Sequence, residues 1–170
     1  MSITLLCQQA KHSVHQLAKC STQAKHHTLH RMAERLVASS HRILNANQQD
    51  IEIAKQKGLS QAMLDRLTLT ETRVATMAEG IKAIAALSDP TQRTLAEWQQ
   101  PNGLTIQRVS VPIGVIAVIY EARPNVTTDA AALCIQSGNA VILRGGSESF
   151  LDSNTNPPPW FNYEQLLMHV

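Results

Sequence analysis

Cysteine is scarce in this 170-residue chain: Cys7, Cys20 and Cys134 are far apart and form no C-x-x-C pair. That argues against a disulfide framework and against a structural zinc site of the usual spacing. Aromatics are also few, two each of Trp, Tyr and Phe, and no run of five Lys or Arg occurs. With a net charge of only +2, the chain lacks both the stacking groups and the positive field of a nucleic-acid binder. No stretch approaches the ~18 apolar residues of a membrane helix. The opening MSITLLCQQAKHSVHQLAKC is broken by Gln8, Gln9, Lys11 and His12, too polar for the apolar region of a signal peptide. The dinucleotide fingerprint G-x-G-x-x-G and the P-loop pattern are both missing. These absences leave a cytosolic protein with neither nucleic acid nor membrane as a partner.

What is present suits a globular fold. At 44% hydrophobic and 16% charged residues, the chain can bury a core. The first ~88 residues read as helices. STQAKHHTLHRMAERLVASS places Leu29, Met32, Ala33, Leu36 and Val37 on one helical face, with Ser21 or Thr22 as the N-cap. HRILNANQQDIEIAKQKG repeats the pattern through Ile43, Leu44, Ile51 and Ala54, and Gly58 stops it. LSQAMLDRL is a short helix capped by Ser60. TETRVATMAEGIKAIAALSDP is another, opened by Thr70 and closed near Asp89-Pro90.

The period then changes. NGLTIQRVSVP alternates like a half-exposed strand, whereas IGVIAVIY has no alternation and suits a strand buried on both faces, as in parallel sheets. NVTTDAAALCIQSGN reads as a helix with Gly138 at its C-terminal cap, and AVIL as the next short strand. Strand, helix, strand makes a βαβ unit with a right-handed crossover expected. The fold class is α/β with a helical N-terminal layer. Residues 150–170 break this pattern: Pro157, Pro158 and Pro159 forbid an α-helix there, and Phe150, Trp160, Phe161 and Tyr163 crowd into the tail.

Ligands of open α/β sheets bind beyond the carboxyl ends of the strands, and two polar clusters fall there. RGGSES follows AVIL. Its Arg144 offers a fork of donors for phosphate or carboxylate, Gly145 and Gly146 permit close backbone approach, and Ser147 and Glu148 follow. By spacing alone this is also an ordinary strand-to-helix turn. YEARPN follows the earlier strand: Pro124 pushes Arg123 out of the helical region, and Asn125 is placed to cap the next helix. Either this is a salt-bridged turn, or Arg123 and Asn125 direct donors at a substrate oxygen. His26 and His30 share a helix face without Cys, Asp or Glu at ligand spacing, so no metal site is expected. Cys134 lies mid-helix among apolar neighbours and reads as an inert buried thiol.

With those residues in view, VPIGVIAVIYEARPNVTTDAAALCIQSGNAVILRGGSES closely resembles the gamma-glutamyl phosphate reductase (glutamate-5-semialdehyde dehydrogenase) family of the aldehyde dehydrogenase superfamily. ILNANQQDI and GLSQAMLDRLTLTETRVATMAEGI are similar to it too, and the likeness covers residues 1–149. The resemblance implies a partial N-terminal, NADP-binding domain over 1–149, the first βαβ portion of an aldehyde-dehydrogenase-type, Rossmann-like cofactor domain, followed by an irregular divergent tail over 150–170. It implies reduction of L-glutamyl 5-phosphate by NADPH to L-glutamate 5-semialdehyde with release of phosphate, a step of proline biosynthesis. The family's route runs through a cysteine nucleophile and a thioacyl-enzyme. Arg123 or Asn125 would take the oxyanion-donor place, and Arg144 to Glu148 the adenosine ribose, with Arg144 suited to a 2′-phosphate. The nucleophilic cysteine of the family belongs to a domain beyond position 170. The expectation is therefore a truncated chain, inactive alone, whose tail arises from a shifted or early-ended reading frame. The alternative is a catalytically dead module that pairs with other subunits or with itself through an incomplete sheet.

Overall fold

The computed structural model describes residues 2–121 and 123–145. Five helices come first: α1 (Ile3–Leu17), α2 (Thr22–Ala38), α3 (Ser40–Gln56), α4 (Gln61–Leu67) and α5 (Glu71–Ala85). Their starts are set by side-chain chemistry. Ser2, Ser21, Ser60 and Thr70 are extended N-caps whose hydroxyls accept from the backbone N–H of Leu5, Ala24, Met63 and Arg73. Of the two candidate caps for α2, Ser21 is the one used. Gly58, at φ +76° just past the C-cap Lys57, ends α3 as the sequence predicts. Helix α5 stops at Ala85, a few residues short of the expected Asp89-Pro90 boundary.

A hairpin follows, β1 (Thr94–Gln99) antiparallel to β2 (Thr105–Val109), turning through Gly103 at φ +85°. Sequence reading finds β2 but misses β1. TLAEWQ is exposed at every position but Ala96, so it has no buried face to produce a period-2 signal.

Then come β3 (Val115–Ile119), α6 (Pro124–Gln136) and β4 (Ala140–Arg144), with β3 and β4 paired in parallel. This is the expected βαβ unit. Gly138 takes φ +68° after α6, and a Cβ there would stand 3.0 Å from Pro112 Cγ, so backbone sign and space both demand glycine. One expectation fails. Strand β3 is not buried on both faces: Ile116 and Val118 pack toward the helices while Val115, Ala117 and Ile119 are exposed. Helix α1 packs chiefly on β4, which buries Ala140 and Val141, and reaches β3 only marginally, so the second face of β3 stays largely open among the described residues.

The main core joins Leu29, Met32, Ala33 and Leu36 of α2 to Val74, Met77, Ala78 and Ile81 of α5 and to Ala131, Ala132 and Ile135 of α6. Val37, read from spacing as part of the α2 stripe, is exposed at the end of its helix. A smaller cluster, Ile51, Ala54, Leu64 and Leu67, ties α3 to α4. The expected tail, 150–170, lies outside the described residues.

Candidate functional site

Parallel pairing fixes the site's frame. Ile119 stands opposite Arg144, and the Tyr120 N–H donates to the Arg144 carbonyl at 3.1 Å, so both strands end on one edge of the sheet. The turn leading to Arg123 and Asn125 and the segment beginning at Arg144 therefore leave from the same rim.

Arg123 is the N-cap residue of α6, extended at φ −136°, ψ 97°, with its side chain exposed. Pro124 is the cause: it disfavours helical backbone in the residue before it and itself fits the first helical position, where no N–H is needed. This corrects the expectation for Asn125. It does not cap α6 but sits one residue inside it, where its Nδ2 donates to Asp129 Oδ2 at 3.5 Å. Among the described residues no side chain caps α6, Pro124 has no N–H, and the Val126 N–H donates to the Arg123 carbonyl at 3.0 Å. The turn is braced from β3 by a 2.5 Å hydrogen bond between the Tyr120 and Thr127 hydroxyls.

Arg144 ends β4 with an exposed side chain, and Gly145 beside it is buried. Gly146, Ser147 and Glu148 lie outside the described residues. The other candidates sit elsewhere. Cys134 is buried in the C-terminal half of α6, and desolvation raises its thiol pKa, as expected of an unactivated cysteine. His26 stands with its Nε2 3.3 Å from the Gln136 amide nitrogen.

Sequence reading missed Asp129, whose carboxyl burial raises its pKa despite the opposing Asn125 contact. The signal was available: Asn125 and Asp129 are four apart in a helix and so share a face. It also missed Lys25, 3% exposed and joined to Asp89 at 2.6 Å, a pairing between distant segments that no local pattern announces.

No family model matches the chain. Curated relatives and solved structures do. It is 53% identical over 148 residues to the gamma-glutamyl phosphate reductase of Opitutus terrae and 53% identical over 151 residues to that of Paramagnetospirillum magneticum. These matches take in 87% and 89% of the chain but 35% and 36% of the relatives. The chain is homologous to the N-terminal third of gamma-glutamyl phosphate reductase. Crystal structures of gamma-glutamyl phosphate reductases from Thermotoga maritima and Saccharomyces cerevisiae superpose with TM-scores of 0.84 and 0.83 at 35% and 36% identity. They cover 85% and 89% of this chain, which in turn covers 35% and 39% of them. A putative aldehyde dehydrogenase from Bacillus subtilis, 16% identical with a TM-score of 0.61, shares the fold. The chain thus spans about a third of the length of the gamma-glutamyl phosphate reductases it matches and carries the N-terminal part of an aldehyde-dehydrogenase-type fold.

Proposed function

We propose that the rim formed by Arg123, Asn125 and the segment from Arg144 onward is the nucleotide and acyl-phosphate edge of a gamma-glutamyl phosphate reductase. The reaction is reduction of L-glutamyl 5-phosphate by NADPH to L-glutamate 5-semialdehyde, with release of phosphate, in proline biosynthesis. The observation that supports this reading is the parallel register that sets Ile119 beside Arg144, so that the turn after β3 and Arg144 at the end of β4 share one edge. Residues of that edge suit the cofactor. Arg144 carries an exposed guanidinium at a strand end, matched to a 2′-phosphate, and Gly145 adjoins it without a side chain. Gly146, Ser147 and Glu148 complete the cofactor segment by sequence. When bound, NADPH supplies the hydride. The chain's own contribution is to hold the phosphate on Arg144 and to present donors from Arg123 and Asn125 to the substrate's oxygens.

Cys134 is not expected to serve as the nucleophile of such a reaction, since it is buried with a raised pKa. A cytosolic location accords with three unpaired cysteines. The test is nucleotide titration of the purified chain. Arg144→Ala should weaken NADPH binding by roughly tenfold or more, the scale of a lost hydrogen bond to a charged group, and leave NADH nearly unaffected. Equal losses for both nucleotides would remove Arg144 from the phosphate-binding role. A second reading, a catalytically silent module that associates through its sheet, is favoured by the uncovered apolar face of β3.

A further inference from the structure

We propose that the Asp129 carboxylate, with Asn125 beside it, forms the subsite that receives the ammonium group of an amino-acid substrate. The inference deepens the functional reading above and rests on it. Asp129 lies four residues after Asn125, on the face of α6 that carries Asn125 at the rim. Its Oδ1 faces α5, where a Cβ on Gly80 would stand 3.6 Å away, and its Oδ2 accepts from Asn125 Nδ2 at 3.5 Å. That long amide contact is its hydrogen bond among the described residues, and no Lys, Arg or His there forms an ion pair with it.

The contrast with Asp89 is instructive. There burial is more than offset by Lys25 and three hydroxyl and N–H donors, and the carboxyl pKa falls. At Asp129 burial dominates and the pKa rises. Asp129 is half-buried, and a carboxylate partly withdrawn from water without a counter-charge among the described residues is a poor structural element, because its lost hydration is not made good. The helix dipole does not supply the compensation, since its influence is confined to the first turn and Asp129 lies beyond it. A primary ammonium supplies what is missing: positive charge with three N–H donors. L-glutamyl 5-phosphate carries that group at the far end of its side chain from the reacting acyl carbon, so a carboxylate set one helical turn in from the rim selects an amino acid over its desamino analogue.

The experiment uses the full 170-residue chain, isotopically labelled, titrated by NMR with L-glutamic acid 5-methyl ester and with glutaric acid monomethyl ester, which lacks the ammonium. The wild type is expected to bind the amino ester at least tenfold more tightly. Asp129→Asn preserves side-chain shape and removes the charge, and should abolish that preference while raising thermal stability slightly. A wild type that binds the two esters equally, or a preference that survives in Asp129→Asn, overturns the subsite; the first comparison needs no variant to fold. NADPH titration of the same samples separates the two claims. If NADPH binds and the preference is absent, the subsite alone is wrong; if neither is seen, the reductase reading of the rim fails with it.

Discussion

Lys25 is a buried ammonium, a rare placement for lysine, and its neighbours explain it. Nζ lies 2.6 Å from Asp89 Oδ2 and donates to Thr91 Oγ1 at 3.1 Å and to the Gln136 carbonyl at 3.4 Å. Asp89 also accepts from Thr22 Oγ1 at 2.8 Å and from the N–H and hydroxyl of Thr91 at 2.9 and 2.7 Å. Two side chains thereby lock α2, the segment after α5 and the C-terminal end of α6 together. Burial alone would raise the Asp89 pKa; the Lys25 ammonium and the threonine donors overcome it and hold the carboxyl well below the usual range. A carboxyl whose pKa is lower in the folded state contributes stability that is complete above its unfolded value of about 3.9 and fades as pH drops beneath it. Replacing Asp89 with Asn leaves Lys25 buried without a counter-charge, at a cost of about 3 kcal/mol near pH 7. The gap between wild type and Asp89→Asn in urea denaturation should be constant from about pH 5 to 7 and narrow as pH falls toward 2. A gap that stays fixed down to pH 2 would show that the pair contributes nothing through charge.

At the scale of elements, helix boundaries were legible because they are written in local chemistry. Ser21, Ser60 and Thr70 each bond a backbone N–H three residues on, and Gly58 and Gly138 supply the positive φ that ends a helix. The βαβ unit was legible from apolar runs around an alanine-rich helix. What the sequence concealed depends on partners distant in the chain. Strand β1 has no buried face to announce it, Asn125 yields the cap position because Pro124 claims the first helical residue, and β3 looks doubly buried by composition while one face lies open. The site was legible in its two clusters but not in Asp129. Asn47 on α3 is another hidden element-scale device. It is fully buried, donates from Nδ2 to the Leu67 carbonyl at 2.9 Å and accepts from the Leu69 N–H at 2.7 Å, so one amide secures the end of α4 and the link into α5. Asn47→Leu strands both backbone groups at about 1–3 kcal/mol each. We expect destabilisation of roughly 2–4 kcal/mol, with hydrogen exchange accelerated first in α4. Global loss of protection without an early α4 phase would contradict a local role.

At the scale of the whole molecule, the helical layer and the sheet differ in how well they are covered. The helices enclose a continuous core through α2, α5 and α6, while the sheet of β3 and β4 has two strands among the described residues. On the side away from that core, α1 covers mainly β4 and leaves Val115, Ala117 and Ile119 of β3 exposed. Val115 and Ile119 of β3 are exposed, Ile119 at 83%, and so are Val111 and Ile113 on the segment leading into the strand, Ile113 at 85%. The separate hairpin adds Leu95, Trp98, Leu104 and Val109 to the exposed apolar surface. Isoleucines so exposed on and just before one strand are a liability, because strand edges and apolar faces both recruit other chains. A second copy of this chain presents the same β3 face, and the self-complementarity of a two-fold contact lets two such faces cover each other. The chain is therefore expected to self-associate with rising concentration in sedimentation velocity. Changing Ile113 and Ile119 together to lysine should shift it toward monomer, since the two cations would face each other across the pairing and both side chains lie outside the helical core. Far-UV circular dichroism should be unchanged by that double substitution. A wild type that sediments as a single species of monomer mass across a hundredfold concentration range would remove the pairing reading and leave the rim, with Arg144 at its edge, as the chain's functional surface.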